Sequence, residues 1–258
     1  MLDELENELK KLKRVVVCYS GGIDSSFLLY FANKVLGKEN VLGIIANGQM
    51  VARSDYEEAI KFAQENNFNL AEISYNALEV EDFKNNTKNR CYSCKKNLMT
   101  KIKEEANKQG YINVLDGKNV DDTKVFRPGN KATQELGIIS PLEKAGFTKA
   151  DIRKYSKECG IKFWNKPSNS CLATRFPYNT VLTEEMLKNI EIAEDYIKQL
   201  NINRVRVRVH NNIARIEVEE NDFQIIMDNK EKIVGKIKEL GFEFVTLDLV
   251  GIRSGVFD

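Results

Sequence analysis

Five residues, Val15-Val16-Val17-Cys18-Tyr19, run without a charge into Ser20-Gly21-Gly22, and residues 23–33 follow with apolar positions at helical spacing. An apolar run with no polar alternation belongs in a strand covered on both faces, and a glycine turn that hands such a strand to a helix is the opening move of a parallel sheet. The order recurs. Residues 41–46 predict a strand, Ser54 caps a helix to about residue 66, residues 70–75 predict a third strand, 94–109 a helix and 113–116 a fourth strand. Strands alternating with helices predict an α/β fold, a doubly wound parallel sheet.

The remainder has a different rhythm. Glycines and prolines mark residues 127–141 as irregular, 148–159 predict a helix capped by Thr148 and stopped at Gly160, and 166–178 predict a long loop. Residues 183–200 predict a helix, 204–210 and 213–218 two alternating strands, 223–240 a helix and 244–250 a last strand. This implies a large domain over residues 1–178 and a smaller α+β domain over 179–258, within the reach of a 258-residue chain.

Lys and Arg number 39 against 38 Asp and Glu, a formal balance of +1, so no global field draws the chain to nucleic acid or a membrane surface. No apolar run reaches the ~20 residues that cross a bilayer, and the start, MLDELENELKKLKR, reads as a charged amphipathic helix. A cytoplasmic location is expected, where the five cysteines stay reduced and are open to metal or catalytic use.

Ser20-Gly21-Gly22-Ile23-Asp24-Ser25-Ser26 lies at the strand-to-helix turn. Glycines let backbone amides approach phosphate oxygens, serines add hydroxyl donors, and the helix contributes its positive end. The loop lacks the lysine of the Walker sequence and resembles the PP-loop of ATP pyrophosphatases, which transfer AMP and release pyrophosphate. That resemblance places Ser20, Gly21, Gly22, Asp24, Ser25 and Ser26 around pyrophosphate and gives Asp24 to Mg2+; the strand end Ile45 to Asn47, with Ala46 and Asn47, meets adenine at the carboxyl edge of the sheet, and Asp116-Gly117 closes on the ribose or triphosphate, an ordinary Asp-Gly turn being the alternative.

Arg90-Cys91-Tyr92-Ser93-Cys94-Lys95 carries Cys-x-x-Cys, and Cys171 lies in Ser170-Cys171-Leu172-Ala173-Thr174-Arg175. Three thiolates fit a cluster with one open corner, while a Cys-x-x-Cys pair also serves redox chemistry or half a zinc site. Cys18 and Cys159 read as packing residues, and His210 as a core or surface residue. Arg175 and Arg90 suit a substrate phosphate or carboxylate. Arg206 and Arg208 share a strand face by period two and resemble the second phosphate site of such enzymes, with a solvated strand face as the plain alternative.

With SGGIDSS, RCYSCK, DGKNVDD, FRPGNKATQELGIISPLEKAGFTKADIR, KPSNSCLATRFPYNT and RVRVRVHNNIARIEV in this order, nearly the whole chain resembles the LarE sulfur transferases of the PP-loop ATP pyrophosphatase group, whose large domain is adenine nucleotide alpha hydrolase-like. The resemblance implies an enzyme that uses ATP and Mg2+ to adenylate a carboxylate of a small pyridinium dicarboxylate mononucleotide and convert it to a thiocarboxylate, in making a nickel-pincer nucleotide. One branch of the family sacrifices the sulfur of a single cysteine aligned with Cys171. Cys91 and Cys94 beside Cys171 instead resemble the branch akin to tRNA thiolases, which implies a 4Fe-4S cluster held by Cys91, Cys94 and Cys171 that delivers sulfide from a sulfur donor, with Asp24 and Arg175 assisting. A homo-oligomer is implied, and no membrane or nucleic-acid partner is expected; a tRNA thiolase is the alternative.

Overall fold

The computed structural model describes residues 1–123, 128–167 and 170–253. The chain runs α1 (Leu2–Leu12), β1 (Val15–Cys18), α2 (Ile23–Leu36), β2 (Val41–Asn47), α3 (Arg53–Glu65), β3 (Leu70–Ser74), the short α4 (Glu81–Lys84), α5 (Arg90–Lys108) and β4 (Asn113–Leu115). It continues with α6 (Pro128–Glu135), α7 (Pro141–Lys144), α8 (Lys149–Glu158), α9 (Glu184–Lys198), β5 (Val205–His210), β6 (Ile213–Val218), α10 (Phe223–Asp228), α11 (Lys230–Glu239) and β7 (Phe244–Leu247). The described residues form two compact units, one from 1–48, 53–76, 91–123 and 128–167, the other from 49–52, 77–90 and 170–253.

The first unit holds a four-stranded sheet in the order β3-β2-β1-β4, with every pairing parallel. Successive side chains of β1 serve opposite faces. Val15 and Val17 join Leu5 and Leu9 of α1, Phe27 of α2, Phe62 of α3 and Ile152 of α8 on one side, while Val16 and Cys18 join Met99 and Ile102 of α5 on the other. This two-sided burial is why the strand reads as an unbroken apolar run. Phe147 is fully buried and meets the ring of Phe27 at 5.7 Å. The next residue, Thr148, opens α8 with a capping box, its hydroxyl accepting from the Asp151 amide.

The second unit carries a three-stranded sheet, β5-β6-β7, antiparallel between β5 and β6 and parallel between β6 and β7. Leu187, Ile190, Ala193 and Ile197 of α9, with Ile233 and Ile237 of α11, supply its buried apolar helical faces. The fold is therefore the helix-covered parallel sheet expected, together with a small mixed sheet.

Three segments differ from the expectation. Residues 128–135 are helical, because a proline in the first helical position has no amide hydrogen bond to lose; Arg127, where the irregular stretch was to begin, lies outside the described residues. The helix expected over 223–240 divides at Asn229, whose side-chain amide donates to the Ile225 carbonyl at 2.9 Å and competes with the backbone ladder. The loop over 166–178 contains a 3-10 turn at Leu172–Arg175, and its residues 168–169 also lie outside the described set. Among the described residues, no helix is long and apolar enough to cross a membrane.

Phe147→Ala should lower the unfolding free energy by about 3–5 kcal/mol, since it empties a fully buried aromatic site. A fall in the midpoint of urea denaturation is the measurement.

Candidate functional site

Three strand ends of the first unit carry the expected nucleotide residues. Gly21 has φ +75° and a Cβ there would stand 2.5 Å from that of Ala59, so both backbone angle and space require glycine. Gly22 precedes α2 as its N-cap, leaving Asp24 in the first helical turn with Ser25 and Ser26 buried behind it. The Ser25 hydroxyl donates to the Gly22 carbonyl at 3.0 Å and accepts from the Ser20 amide at 3.2 Å; the Ser20 and Ser25 hydroxyls are 3.1 Å apart. These bonds hold the loop curled with its amides at the positive end of α2, an arrangement that suits phosphate.

Gly117, two residues beyond β4, lies directly against this loop. A Cβ on it would fall 2.9 Å from the Ser25 backbone nitrogen. Ala46 and Asn47 end β2; its residue Ile44 is paired with Cys18, so the two go past the end of β1 toward the same carboxyl edge. The exposed Asn47 amide donates to Glu72 at 2.8 Å.

The structure gives Asp116, expected beside Gly117 at the nucleotide, a set of partners, and adds Lys95, which the sequence did not single out. Asp116 is buried, and one carboxylate oxygen accepts from the Ser140 hydroxyl at 2.7 Å and the Lys118 amide at 3.2 Å. Its other oxygen is buried without a hydrogen bond, 3.9 Å from the Lys95 ammonium. Lys95 follows Cys94 in the Cys-x-x-Cys motif and supplies a cation at the strand edge that lacks a Walker lysine. Only its spacing beside Cys94 could have pointed to it.

Cys91 is exposed and Cys94 half-buried, three residues apart in the first turns of α5 and so on one helix face. The Tyr75 hydroxyl, 2.9 Å from the Cys94 carbonyl, also approaches Cys94 Sγ at 3.4 Å. Burial pushes the Cys94 thiol up, the Tyr75 contact opposes that, and a charge on Cys91 reinforces it. Cys18 is buried in the sheet against Met99, with Sγ to Sδ 3.5 Å, and burial pushes its thiol up strongly, in keeping with a packing residue. Among the described residues, no group of three or more His, Cys, Asp or Glu side chains is gathered to hold a metal ion.

In the second unit, Cys171 is half-buried at the mouth of the 3-10 turn, its carbonyl accepting from the Thr174 amide at 3.0 Å and hydroxyl at 2.7 Å. Arg175 departs from the expectation of an open anion fork. Its Nε and Nη2 clasp both oxygens of Glu194 at 2.8 and 2.9 Å, and Nη1 donates to Ser170 and Thr174 hydroxyls at 2.6 and 3.1 Å. With every nitrogen engaged and the residue 3% exposed, it shapes the segment around Cys171. Each of its three nitrogens already serves a protein acceptor, so no open two-nitrogen fork faces a ligand.

Arg206 and Arg208 are 7% and 2% exposed, which sets aside the solvated strand face. Arg208 pairs with Glu217 at 3.1 Å and donates to the Thr174 carbonyl at 2.7 Å. Arg206 donates to the Arg253 carbonyl at 2.8 Å, and burial followed by the charges of Arg175, Arg208 and Arg204 pushes its pKa down to about 10. A buried cation among cations is relieved by an incoming anion. His210 is half-buried at the end of β5, and burial pushes its pKa down.

The family model described as NAD synthase matches residues 1–113. The chain is 39% identical over 250 residues to pyridinium-3,5-bisthiocarboxylic acid mononucleotide synthase of Lactiplantibacillus plantarum, covering 96% of this chain and 90% of that one. It is 35% identical to an uncharacterized protein of Synechocystis sp. over 98% of this chain and 95% of the other, and 34% identical to one of Methanocaldococcus jannaschii over 98% and 97%.

Gly117→Ala should weaken binding of a non-hydrolysable ATP analogue by at least about tenfold, a loss of some 1.4 kcal/mol in calorimetry. Gly235→Ala, where a Cβ meets nothing within 4 Å, should leave that affinity unchanged. Iodoacetamide at pH 8 should alkylate Cys91 faster than Cys94, because the raised Cys94 pKa leaves less thiolate, and should spare Cys18; peptide mass mapping over time reads the order.

Proposed function

The chain belongs to the LarE family of PP-loop sulfur transferases, enzymes that use ATP, and from that premise we propose that it adenylates a carboxylate of a pyridinium-3,5-dicarboxylate mononucleotide and converts it to the thiocarboxylate. The observation that carries the reading is the curled loop of residues 20–26 with Gly117 pressed on the Ser25 amide, a phosphate cradle at a strand end, in a chain that matches the named synthase almost end to end.

In this reading a substrate carboxylate oxygen attacks the α-phosphorus of ATP, a new P–O bond forms, and the bond to the β-phosphate bridge breaks to release pyrophosphate. The amides around Ser20, Gly21 and Gly22 and the Ser20 hydroxyl receive the charge that moves onto the leaving group, Ser25, whose hydroxyl is spent on the Gly22 carbonyl, and the buried Ser26 keep the loop in shape around it, and Ala46 and Asn47 face the adenine. Fixed donors of this kind are worth about 10²–10³ in rate each. Lys95, held by Asp116, adds a cation. The family uses Mg2+ with ATP; the Asp24 carboxylate at the loop is a hard oxygen donor that fits it, and the ion would neutralise phosphate charge. Hydrosulfide then attacks the acyl carbon, AMP leaves with the bonding electron pair, and the sulfur proton passes to solvent. Arg206, with Arg208 beside it, holds the substrate phosphate, and Arg175 keeps the Cys171 segment in place.

For the sulfur we assign Cys91, Cys94 and Cys171 as the ligands of a 4Fe-4S cluster. The fit rests on Cys91 and Cys94, two thiols one helical turn apart near the start of α5, the first exposed and the second half-buried, which match the donors such clusters take. When bound, the group would supply an open iron position for hydrosulfide. Such thiol chemistry belongs in the reducing cytoplasm, and the protein is expected to work as a homo-oligomer.

Anaerobically purified protein should contain iron and acid-labile sulfide, and Cys91→Ser, Cys94→Ser and Cys171→Ser should each remove them. Pyrophosphate release should require the mononucleotide, and the mass of the protein should be unchanged after turnover. A mass lowered by one hydrogen sulfide at Cys171 would establish the sacrificial route in place of the cluster. Pyrophosphate release driven by unmodified tRNA and not by the mononucleotide would make the protein a tRNA thiolase.

A further inference from the structure

Arg90 is the first residue of α5 and is 5% exposed. Its guanidinium lies 4.5 Å above the ring of Tyr178, yet Nε and Nη1 are both buried without a hydrogen-bond partner. Among the described residues, no carboxylate forms an ion pair with it, in contrast to Arg175 and Arg208 of the same unit, which have Glu194 and Glu217. The first turn of α5 holds no acidic residue, so nothing on that turn offsets a charge at the positive end of a 19-residue helix. Burial, orphaned donors and the helix field all act against this cation, and an oxyanion relieves all three at once.

Its surroundings are fixed. Asn86, fully buried with φ +49°, donates to the carbonyls of Phe176 and Pro177 at 3.2 and 2.8 Å, so the turn that presents Tyr178 is clamped. The Tyr178 ring backs the guanidinium carbon, and the Arg90 amide is tied to the Thr87 carbonyl at 3.1 Å. A planar cation backed by a ring, with Nε and Nη1 unspent, is a built half of an anion site.

We propose that Arg90 is a substrate-binding residue whose guanidinium takes an oxyanion of the mononucleotide, its carboxylate or its phosphate. The identity of the ligand rests on the function proposed above; the anion site itself does not. The test is nitrogen-15 NMR of arginine side chains in the wild-type protein, with the Arg90 Nε resonance assigned by its absence from Arg90→Lys. Inorganic phosphate, the mononucleotide and its dephosphorylated nucleoside are added in turn. The Arg90 signal should shift saturably with phosphate and with the mononucleotide. A shift kept with the nucleoside assigns the carboxylate, and a shift lost assigns the phosphate. Arg90→Gln should raise the Kd for the mononucleotide at least about tenfold, with the Kd for a non-hydrolysable ATP analogue unchanged. A signal unmoved by either phosphate or mononucleotide, or an Arg90→Gln protein that binds the mononucleotide as tightly as wild type, overturns the proposal. If Arg90→Gln does not fold, the wild-type titration decides alone. Should wild type fail to bind the mononucleotide while phosphate still moves Arg90, the substrate reading falls and the anion site stands.

Discussion

The backbone of Gly117 stands so close to the amide of Ser25 that no side chain fits between them. That contact is available only because β1 and β4 are parallel neighbours, so the segments leaving them emerge on the same edge. From it the chemistry of the first unit follows in steps of one or two residues. Asp116 comes just before the glycine, its carboxylate faces Lys95, and Lys95 adjoins the thiol pair at the start of α5. Tyr75, at the end of β3, hydrogen-bonds the same helical turn. Phosphate loop, cation and thiols are thus tied to the carboxyl ends of the strands of one sheet.

The second unit rests on buried charge. Desolvating an ion pair costs about as much as the pair returns, so Arg175 with Glu194 and Arg208 with Glu217 contribute geometry more than stability. Glu194 also accepts from the Val207 amide at 2.8 Å, which joins α9, β5 and the Cys171 segment through one carboxylate. Arg206 is the exception, a buried cation whose neighbouring charges are mainly positive.

Periodicity made the strands and helices of the parallel sheet legible, since two-sided burial leaves an unmistakable apolar run at residues 15–19 and 41–46. The phosphate loop was legible for the same reason, its glycines standing where a strand becomes a helix. Residues 128–135 were not, because proline and glycine read as breakers although the first turn of a helix tolerates both. The break at Asn229 arises from a side-chain bond that periodicity does not register. The partners that redefine the site lie on other elements: Ser140 for Asp116, Glu194 for Arg175, and Glu217, across the β5-β6 pairing, for Arg208. An arginine looks alike in sequence whether its donors are spent or free, so Arg175 and Arg206 could be told apart only from their neighbours in space.

The crowding of cations around Arg206 also bears on how the protein is handled. Any anion that settles there binds the folded chain in preference to the unfolded one, so it adds stability in proportion to the logarithm of its concentration. Heat resistance measured in phosphate or sulfate buffer would then overstate that of the chain in chloride, and a gain confined to oxyanions would separate occupancy of this place from general screening by salt.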